Sequence, residues 1–134
     1  MEALINIDVP DLEAAIEFYQ RATELRLRRR LFEGTVAELT GASVRILLLQ
    51  KETGTSAVPG ASLSRDYRRH WTPIHLDFAV PELEVATERA IAAGASLDGP
   101  VQSFVWGRQA CLSDPFGHGF CLLQWQGRGY DAVA

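Results

Sequence analysis

The sequence lacks the features that mark several protein classes. Only two of its 134 residues are cysteines, Cys111 and Cys121, and their spacing fits neither a disulfide scaffold nor a zinc ribbon. No apolar run approaches the roughly 20 residues of a membrane span, and we expect no secretory leader. Basic residues are not in excess, since 13 Lys and Arg stand against 17 Asp and Glu. We therefore expect a cytoplasmic protein that binds neither nucleic acid nor membrane.

The first part of the chain has a clear pattern of elements. Apolar residues at 47% and charged residues at 22% are typical of a globular domain. Alternation from Leu4 to Val9 predicts a half-buried strand. Asp11 can cap a helix, and apolar residues at helical spacing predict one from Leu12 to about Thr23. Further strands are predicted at residues 25–32, 35–39 and 44–50.

The same order of elements starts again after a long polar connection. Residues 51–71 are rich in glycine and serine and end near several arginines, which is typical of a functional or mobile loop. A strand is then predicted at residues 74–80, and a helix from Leu83 that ends at Gly94. The remaining strands are predicted at residues 101–106, 109–112 and 118–125, followed by a loose tail.

The two halves repeat each other. Val-Pro-Asp-Leu-Glu at residues 9–13 matches Val-Pro-Glu-Leu-Glu at residues 80–84, an offset of 71 residues. Leu-Leu-Gln at residues 48–50 recurs at residues 122–124, an offset of 74. Because the order of elements matches as well, the sequence predicts a duplicated βαβββ module.

The predicted fold is α+β, with two βαβββ modules that form a curved mixed sheet around a cleft. We expect one domain, with module 1 at about residues 3–50, a linker at 51–71, module 2 at about 72–126 and a loose tail at 127–134. One set of alternating strand residues should pack under the helices, and the other set should face the cleft. The first set is Ile5, Ile7, Val9, Ile74, Leu76 and Phe78.

Several segments resemble the glyoxalase/bleomycin-resistance/extradiol-dioxygenase superfamily, also called the vicinal oxygen chelate superfamily. The resemblance rests on the strand-to-helix segment at residues 9–19, on residues 74–80 and 92–95, and on two segments near the end, residues 106–108 and 114–118. It covers about residues 4 to 125. It implies a homodimer that acts on or binds a small molecule, with four metal ligands pointing into the cleft.

The resemblance places those four ligand positions at Leu4, Leu47, His75 and Cys121. Only His75 is a good match, because a leucine side chain has no lone pair and divalent ions need several oxygen or nitrogen ligands. We therefore expect no cofactor. The alternative is one divalent metal ion held by His75 with ligands from shifted registers, for which His118 and Glu38 are candidates.

Candidate ligand-binding residues are those expected on the cleft face of the strands and at an aromatic wall. They are Asn6, Asp8, Arg45, Leu47, His75, Asp77, Trp106 and Cys121. Each has a structural alternative: Arg45 could form an internal ion pair with Asp8 or Asp77, and Cys121 could be a small buried residue. His75 could be a structural residue that bonds Asp77. Trp106 and Trp71 could stack on a ligand or serve in packing.

Two groups of arginines have simpler interpretations. The run of Arg26 and Arg28–Arg30 is similar to a phosphate-binding patch, but a solvated strand face is the preferred interpretation. Arg65, Arg68 and Arg69 could contact a partner subunit. No residue is assigned as catalytic, with His75 the candidate if there is one. The first functional hypothesis is a metal-independent small-molecule binder, for which Asp8 and Asp77 would suit a cationic ligand. The second is a metal-dependent lyase, isomerase or dioxygenase that uses His75.

Overall fold

The computed structural model describes all 134 residues, and the fold is α+β as predicted. Its two helices and nine strands fall into two compact units, Met1–Arg68 and Arg69–Ala134, each with its own mixed sheet. The single domain that unites them stays a prediction from the sequence. Neither helix is long and apolar enough to cross a membrane.

The first unit has the predicted order of strand, helix and three strands. The elements are β1 (Leu4–Val9), α1 (Leu12–Ala22), β2 (Arg26–Leu31), β3 (Val36–Thr40) and β4 (Arg45–Gln50). In the sheet, β1 lies beside β4, followed by β3 and β2, and only the β1–β4 pair is parallel.

Helix α1 forms where its cap and apolar face predict it. The Asp11 side chain accepts a hydrogen bond from the Ala14 N–H at 3.0 Å, which satisfies one free donor of the first turn. The apolar face of the helix is buried, as is one face of the sheet. The buried residues include Leu12, Ala15, Ile16 and Tyr19 of α1 and Ile7, Val9, Ile46 and Leu48 of the strands.

The second unit repeats this plan with one extra strand. Strand β5 (Leu76–Ala79) lies beside β9 (Gly119–Trp125), which is followed by β8 (Gly107–Ser113). Both β6 (Ser96–Leu97) and β7 (Gln102–Phe104) pair with β8. The short β6 was not predicted, because two residues are too few to show alternation. The helix ends at Gly94, which has the left-handed φ of 119° expected of a glycine cap. The elements are β5 (Leu76–Ala79), α2 (Leu83–Ala93), β6 (Ser96–Leu97), β7 (Gln102–Phe104), β8 (Gly107–Ser113) and β9 (Gly119–Trp125).

Strand register supports the duplication. Asn6 of β1 pairs with Leu47 of β4, and Asp77 of β5 pairs with Cys121 of β9. These partners are separated by the same 71 and 74 residues that relate the repeated sequence segments. The two units therefore place equivalent residues in equivalent rows of their sheets.

Two local expectations were wrong. Ile74 was expected to pack under α2, but it precedes β5 and is 85% exposed. The alternation in the sequence begins at Ile74, two residues before the pairing of β5 with β9 begins at Leu76. The tail was expected to be loose. Instead, Gly129–Ala132 form a 3-10 turn whose Tyr130 ring lies 4.6 Å from the ring of Trp125.

Candidate functional site

Each sheet has one face away from its helix, which we call the helix-free face. In the first unit a row of paired residues crosses this face, from Asn6 through Leu47 and Glu38 to Arg29. Directly paired residues on neighbouring strands project to the same side of a sheet. The row therefore brings two predicted binding residues, Asn6 and Leu47, beside a carboxylate and a guanidinium.

Glu38 is the centre of a charged group that we call the Glu38 cluster, formed with Arg28, Arg29 and Arg45. Its side chain is only 2% exposed. Arg29 Nε donates to Glu38 Oε2 at 2.5 Å, and Arg28 Nη1 donates to Glu38 Oε1 at 3.1 Å. Arg45 Nη1 lies 3.8 Å from the same Oε1. One buried carboxylate thus holds three guanidinium groups.

These contacts keep Glu38 ionised. The hydrogen bond from Arg29 lowers the pKa of the Glu38 carboxyl below its ordinary value, and the nearby charges of Arg29, Arg28 and Arg45 act in the same direction. Removal from water opposes this shift but is smaller than the hydrogen-bond effect. At neutral pH the carboxylate therefore acts as a fixed anchor for the arginines.

The structure corrects the predicted partners of Asp8 and Arg45. Asp8 accepts from Arg65 Nε at 2.6 Å, so the linker supplies its cation. Arg45 instead contacts Glu2, at 2.5 Å, and Glu38. Periodicity within a strand could not predict the pairs Asp8–Arg65 and Arg45–Glu2, because the two residues of each pair are far apart in the sequence.

The arginines of the linker region also have partners in this chain. Arg65 donates to Asp8, Arg68 to Asp66, and Arg69 to Asp98. These contacts do not need the partner subunit that the sequence suggested.

In the second unit, three predicted binding residues come together. His75, Asp77 and Cys121 place one ligand-type atom each within 4.8 Å of one another. His75 Nε2 lies 3.3 Å from Asp77 Oδ1, and both side chains are more than one third exposed. Cys121 is buried beside Asp77 through the pairing of β5 and β9. We call these residues the His75 group.

The Cys121 thiol is not an activated nucleophile. Burial raises its pKa to about 12, so it is protonated at neutral pH. Gln109 Nε2 donates to Cys121 Sγ at 3.0 Å, which partly opposes the shift, and Cys111 Sγ lies 3.6 Å away. Both cysteines are free. The interpretation of Cys121 as a small buried residue therefore fits its surroundings.

Trp71 lies beside His75 and packs on the sheet. The two rings meet edge to face at 5.3 Å, and the indole Nε1 donates to Asp98 at 3.1 Å. The guanidinium carbon of Arg69 lies 5.0 Å from the centre of the Trp71 ring. Gly119 leaves room for the ring, because a Cβ at that position would stand 2.5 Å from it.

Trp106 lies in a separate aromatic group. Its ring stacks on the ring of Phe104, with 4.9 Å between the ring centroids and an angle of 5° between the ring planes. It also contacts the rings of Trp125 and Tyr130. Four rings that pack on one another favour the packing role for Trp106. Phe104, Trp125 and Tyr130 remain at least 40% exposed, so the group also offers an aromatic surface.

The donor set of the His75 group fits a borderline ion better than a hard one. Zinc commonly takes three protein ligands drawn from imidazole, carboxylate and thiolate, with a fourth position left open. Manganese and magnesium prefer oxygen-rich sites, and a protonated thiol must lose its proton before it binds a metal. Leu47, the first unit's counterpart of Cys121, contributes no donor.

Sequence reasoning found the His75 group but missed the Glu38 cluster. Glu38 was considered only as a shifted metal ligand, and Arg28 and Arg29 were assigned to a solvated face. The available signal was an acidic residue inside the apolar segment at residues 36–39, next to a strand with four arginines. A buried acid of this kind needs a cationic partner.

Comparisons with known proteins agree with this fold. The glyoxalase-like domain family model matches residues 4–123. An uncharacterised Mycobacterium bovis protein is 27% identical over 122 residues, which cover 89% of this chain and 80% of that protein.

Two solved structures extend the similarity. A glyoxalase/bleomycin resistance protein/dioxygenase from Nocardioides has a TM-score of 0.66 at 21% identity, covering 96% of this chain and 85% of that one. A variant of the fosfomycin resistance protein FosX from Listeria monocytogenes, complexed with Mn(II) and a dihydroxypropylphosphonic acid, has a TM-score of 0.67 at 20% identity. That match covers 96% of this chain and 89% of FosX.

Proposed function

Because the chain belongs to the glyoxalase-like domain family, we propose that it binds a small organic molecule on the helix-free face of one of its sheets, without a resident metal ion. The candidate binding residues are those predicted from the sequence, together with the Glu38 cluster. The predicted residues are Asn6, Asp8, Arg45, Leu47, His75, Asp77, Trp106 and Cys121.

One observation carries this proposal. The row that pairs Asp77 with Cys121 in the second unit pairs Asn6 with Leu47 in the first. Leu47 has no lone pair, and Cys121 is a buried thiol with a pKa of about 12. Of the four positions that the family resemblance assigns to metal ligands, Leu4 and Leu47 therefore cannot bind a cation, Cys121 is protonated at neutral pH, and only His75 offers a ligand atom.

Metal analysis combined with a ligand screen tests the proposal. Protein purified without chelator should contain less than one equivalent of Mn, Ni, Zn or Fe. Its melting temperature should rise with at least one compound of a small-molecule library, equally with and without EDTA, since a ligand of the folded state stabilises it by mass action. A stoichiometric metal, or ligand binding that EDTA abolishes, would contradict metal independence.

A second candidate is a metal-dependent enzyme, which the His75 group favours. His75, Asp77 and Cys121 would hold the ion, and the three donor atoms within 4.8 Å of one another support this. When bound, a divalent ion would polarise an oxygen of the substrate as a Lewis acid. The exposed side of His75 and Asp77 would leave room for that substrate.

Zinc and manganese titrations distinguish this candidate. The metal-dependent protein should bind one equivalent of zinc, lose it in His75→Ala and Asp77→Asn, and keep it in a His118→Ala control. Zinc binding that survives His75→Ala would contradict a centre at the His75 group.

We also propose a homodimer in a reducing compartment such as the cytoplasm. The family resemblance implies the dimer, and the two free cysteines 3.6 Å apart are typical of a compartment that keeps thiols reduced. Light scattering during gel filtration should give twice the mass of the 14.8 kDa chain, and a monomer mass would contradict the dimer.

A further inference from the structure

The Glu38 cluster has more positive charge than its own acids neutralise. Arg28 and Arg29 have no acidic partner other than Glu38, and Arg45 shares Glu38 with Glu2. Three cations therefore face two carboxylates. Each guanidinium has five N–H donors, and the described contacts use one donor of Arg28 and one of Arg29.

The arginines are also accessible. The side chains of Arg28 and Arg29 are 56% and 52% exposed, whereas Glu38 beneath them is 2% exposed. Glu38 thus fixes one edge of each guanidinium and leaves the rest in solvent. Guanidinium groups held in this way are suited to bidentate contacts with two oxygens of a carboxylate or a phosphate.

A bulge in the sheet explains how two consecutive residues share one acid. The pairing of β2 with β3 shifts between Leu27 and Arg29, so Arg28 is an extra residue in the strand. In a regular strand, neighbouring side chains point to opposite faces. Here both Arg28 and Arg29 reach Glu38.

The acids that suggested a cationic ligand are already engaged. Asp8 is ion-paired with Arg65, and Asp77 lies 3.3 Å from His75. The Glu38 cluster with Glu2, which has three guanidinium groups against two carboxylates, therefore has a net positive charge, although the whole chain has a net charge of −4.

We propose that Arg28, Arg29 and Arg45, anchored by Glu38, form the subsite that binds the oxyanion of this protein's ligand, a carboxylate or a phosphate. This inference rests on the proposed function and names its ligand class. Asn6 and Leu47, in the same row as Arg29, would contact the uncharged part of the ligand next to the anion.

Three probe molecules of similar shape test which sign of ligand charge the subsite prefers. Benzoate, benzamide and benzamidine share a phenyl ring and carry a negative, a neutral and a positive group. Calorimetric titrations are made at constant, near-physiological ionic strength so that unspecific attraction is screened. Benzoate should bind at least about tenfold more tightly than the other two, as expected for one or two charge-assisted hydrogen bonds. Phenyl phosphate, measured in the same way, distinguishes a phosphate preference from a carboxylate preference.

Matched variants locate the subsite. Arg28→Gln and Arg29→Gln should each weaken benzoate binding by about tenfold. Arg30→Gln is the control, because it removes the same charge from the same strand while Arg30 pairs with Glu13 of α1. It should change the affinity by less than about twofold. Circular dichroism shows whether each variant folds. If Arg29→Gln does not fold, the Arg28→Gln variant still tests the subsite, because Arg28 is exposed.

The outcomes separate this inference from the proposed function. Tightest binding of benzamidine, equal binding of all three probes, or equal effects of the Arg28 and Arg30 variants would overturn the anion subsite and leave small-molecule binding intact. If no probe binds but the library screen finds neutral or cationic ligands, the anion subsite alone is wrong. If neither experiment detects a ligand, both proposals fail.

Discussion

Replacing Gly119 by alanine should displace Trp71 and disturb His75. A Cβ at residue 119 would lie 2.5, 2.6 and 2.7 Å from three atoms of the indole ring. Carbon atoms in contact are normally about 3.5–4.0 Å apart. Because Gly119 pairs with Ser113 in the ladder of β8 and β9, its backbone is held and the tryptophan has to move, by about 1 Å or more.

The cost follows from the surface that Trp71 buries. The residue is 44% exposed, so somewhat more than half of its surface is covered. A covered area of roughly 100 Å² at about 25 cal/mol per Å² corresponds to roughly 2.5 kcal/mol. A partial displacement that keeps some contact should therefore destabilise the protein by about 1–2.5 kcal/mol, or roughly 4–10 °C in melting temperature.

Thermal and urea unfolding measure this loss, and NMR spectra of the His75 ring report its contact with Trp71. Gly99→Ala is the matched control, because a Cβ there would have no atom within 4 Å. It should leave the melting temperature unchanged within about 1 °C. The Gly119 variant should also shift the His75 ring signals, which the control should not do.

A double-mutant cycle can refute the reasoning. In a Trp71→Ala background the ring is absent, so Gly119→Ala should cost almost nothing. A cost as large as that in the wild type would mean that the alanine acts through the backbone and not through Trp71. Unchanged stability in the single variant would show that the ring does not pack on Gly119.

Four other perturbations have defined outcomes. Iodoacetamide at neutral pH should label Cys111 well before Cys121, as mass spectrometry of the peptides will show, because the pKa of Cys121 is about 12. The stability that depends on the neutral Cys121 thiol should be complete below its ordinary pKa of 9.0 and decline between 9.0 and about 12. Glu38 has a lowered pKa, so its contribution should be present above the ordinary value of 4.5 and be lost at lower pH, a loss that is absent in Glu38→Gln. Gly107→Ala should destabilise by about 2 kcal/mol or more in urea unfolding, because its φ is 159° and a Cβ would meet the Gln124 carbonyl oxygen at 2.3 Å.

The labelling, Glu38 and Gly107 predictions have matched controls. Labelling of Cys111 and Cys121 at equal rates in the folded protein would contradict a buried, protonated Cys121 thiol. Unfolded protein is the control, and there both cysteines should be labelled at equal rates. Glu17→Gln removes an exposed carboxylate paired with Arg21 and should leave the acid-side loss of stability in place. If Glu38→Gln shows the same acid profile as the wild type, Glu38 is not the group responsible. Gly99→Ala again serves as the reference for Gly107→Ala.

Local sequence patterns were sufficient for the main elements. The cap at Asp11, the helical apolar face that follows and the duplicated segments predicted α1, α2 and the order of the strands. The same patterns did not predict which residues take part in strand pairing. Ile74 continues the alternation of β5 but lies outside its ladder, and β6 has only two residues.

The candidate site was predictable only where strand alternation and the family resemblance indicated it. Alternation predicted Asp77 on the cleft face, the resemblance predicted His75 and Cys121 there, and the pairing of β5 with β9 brings Asp77 beside Cys121. The ion pairs of Asp8 and Glu38 were not predicted, because Arg65 and Arg29 reach them across different segments. Long-range charge pairing has no period in the sequence, so only the folded chain shows it.

The bulge in β2 also has an evolutionary implication. A single extra residue lets two adjacent codons supply guanidinium groups to one side of the sheet, without any change in the number of strands. Removing that residue would restore strict alternation and send one of the two cations to the opposite side. In a duplicated architecture, a one-codon insertion or deletion can thus change the number of cations on one side of one sheet and leave its twin unchanged.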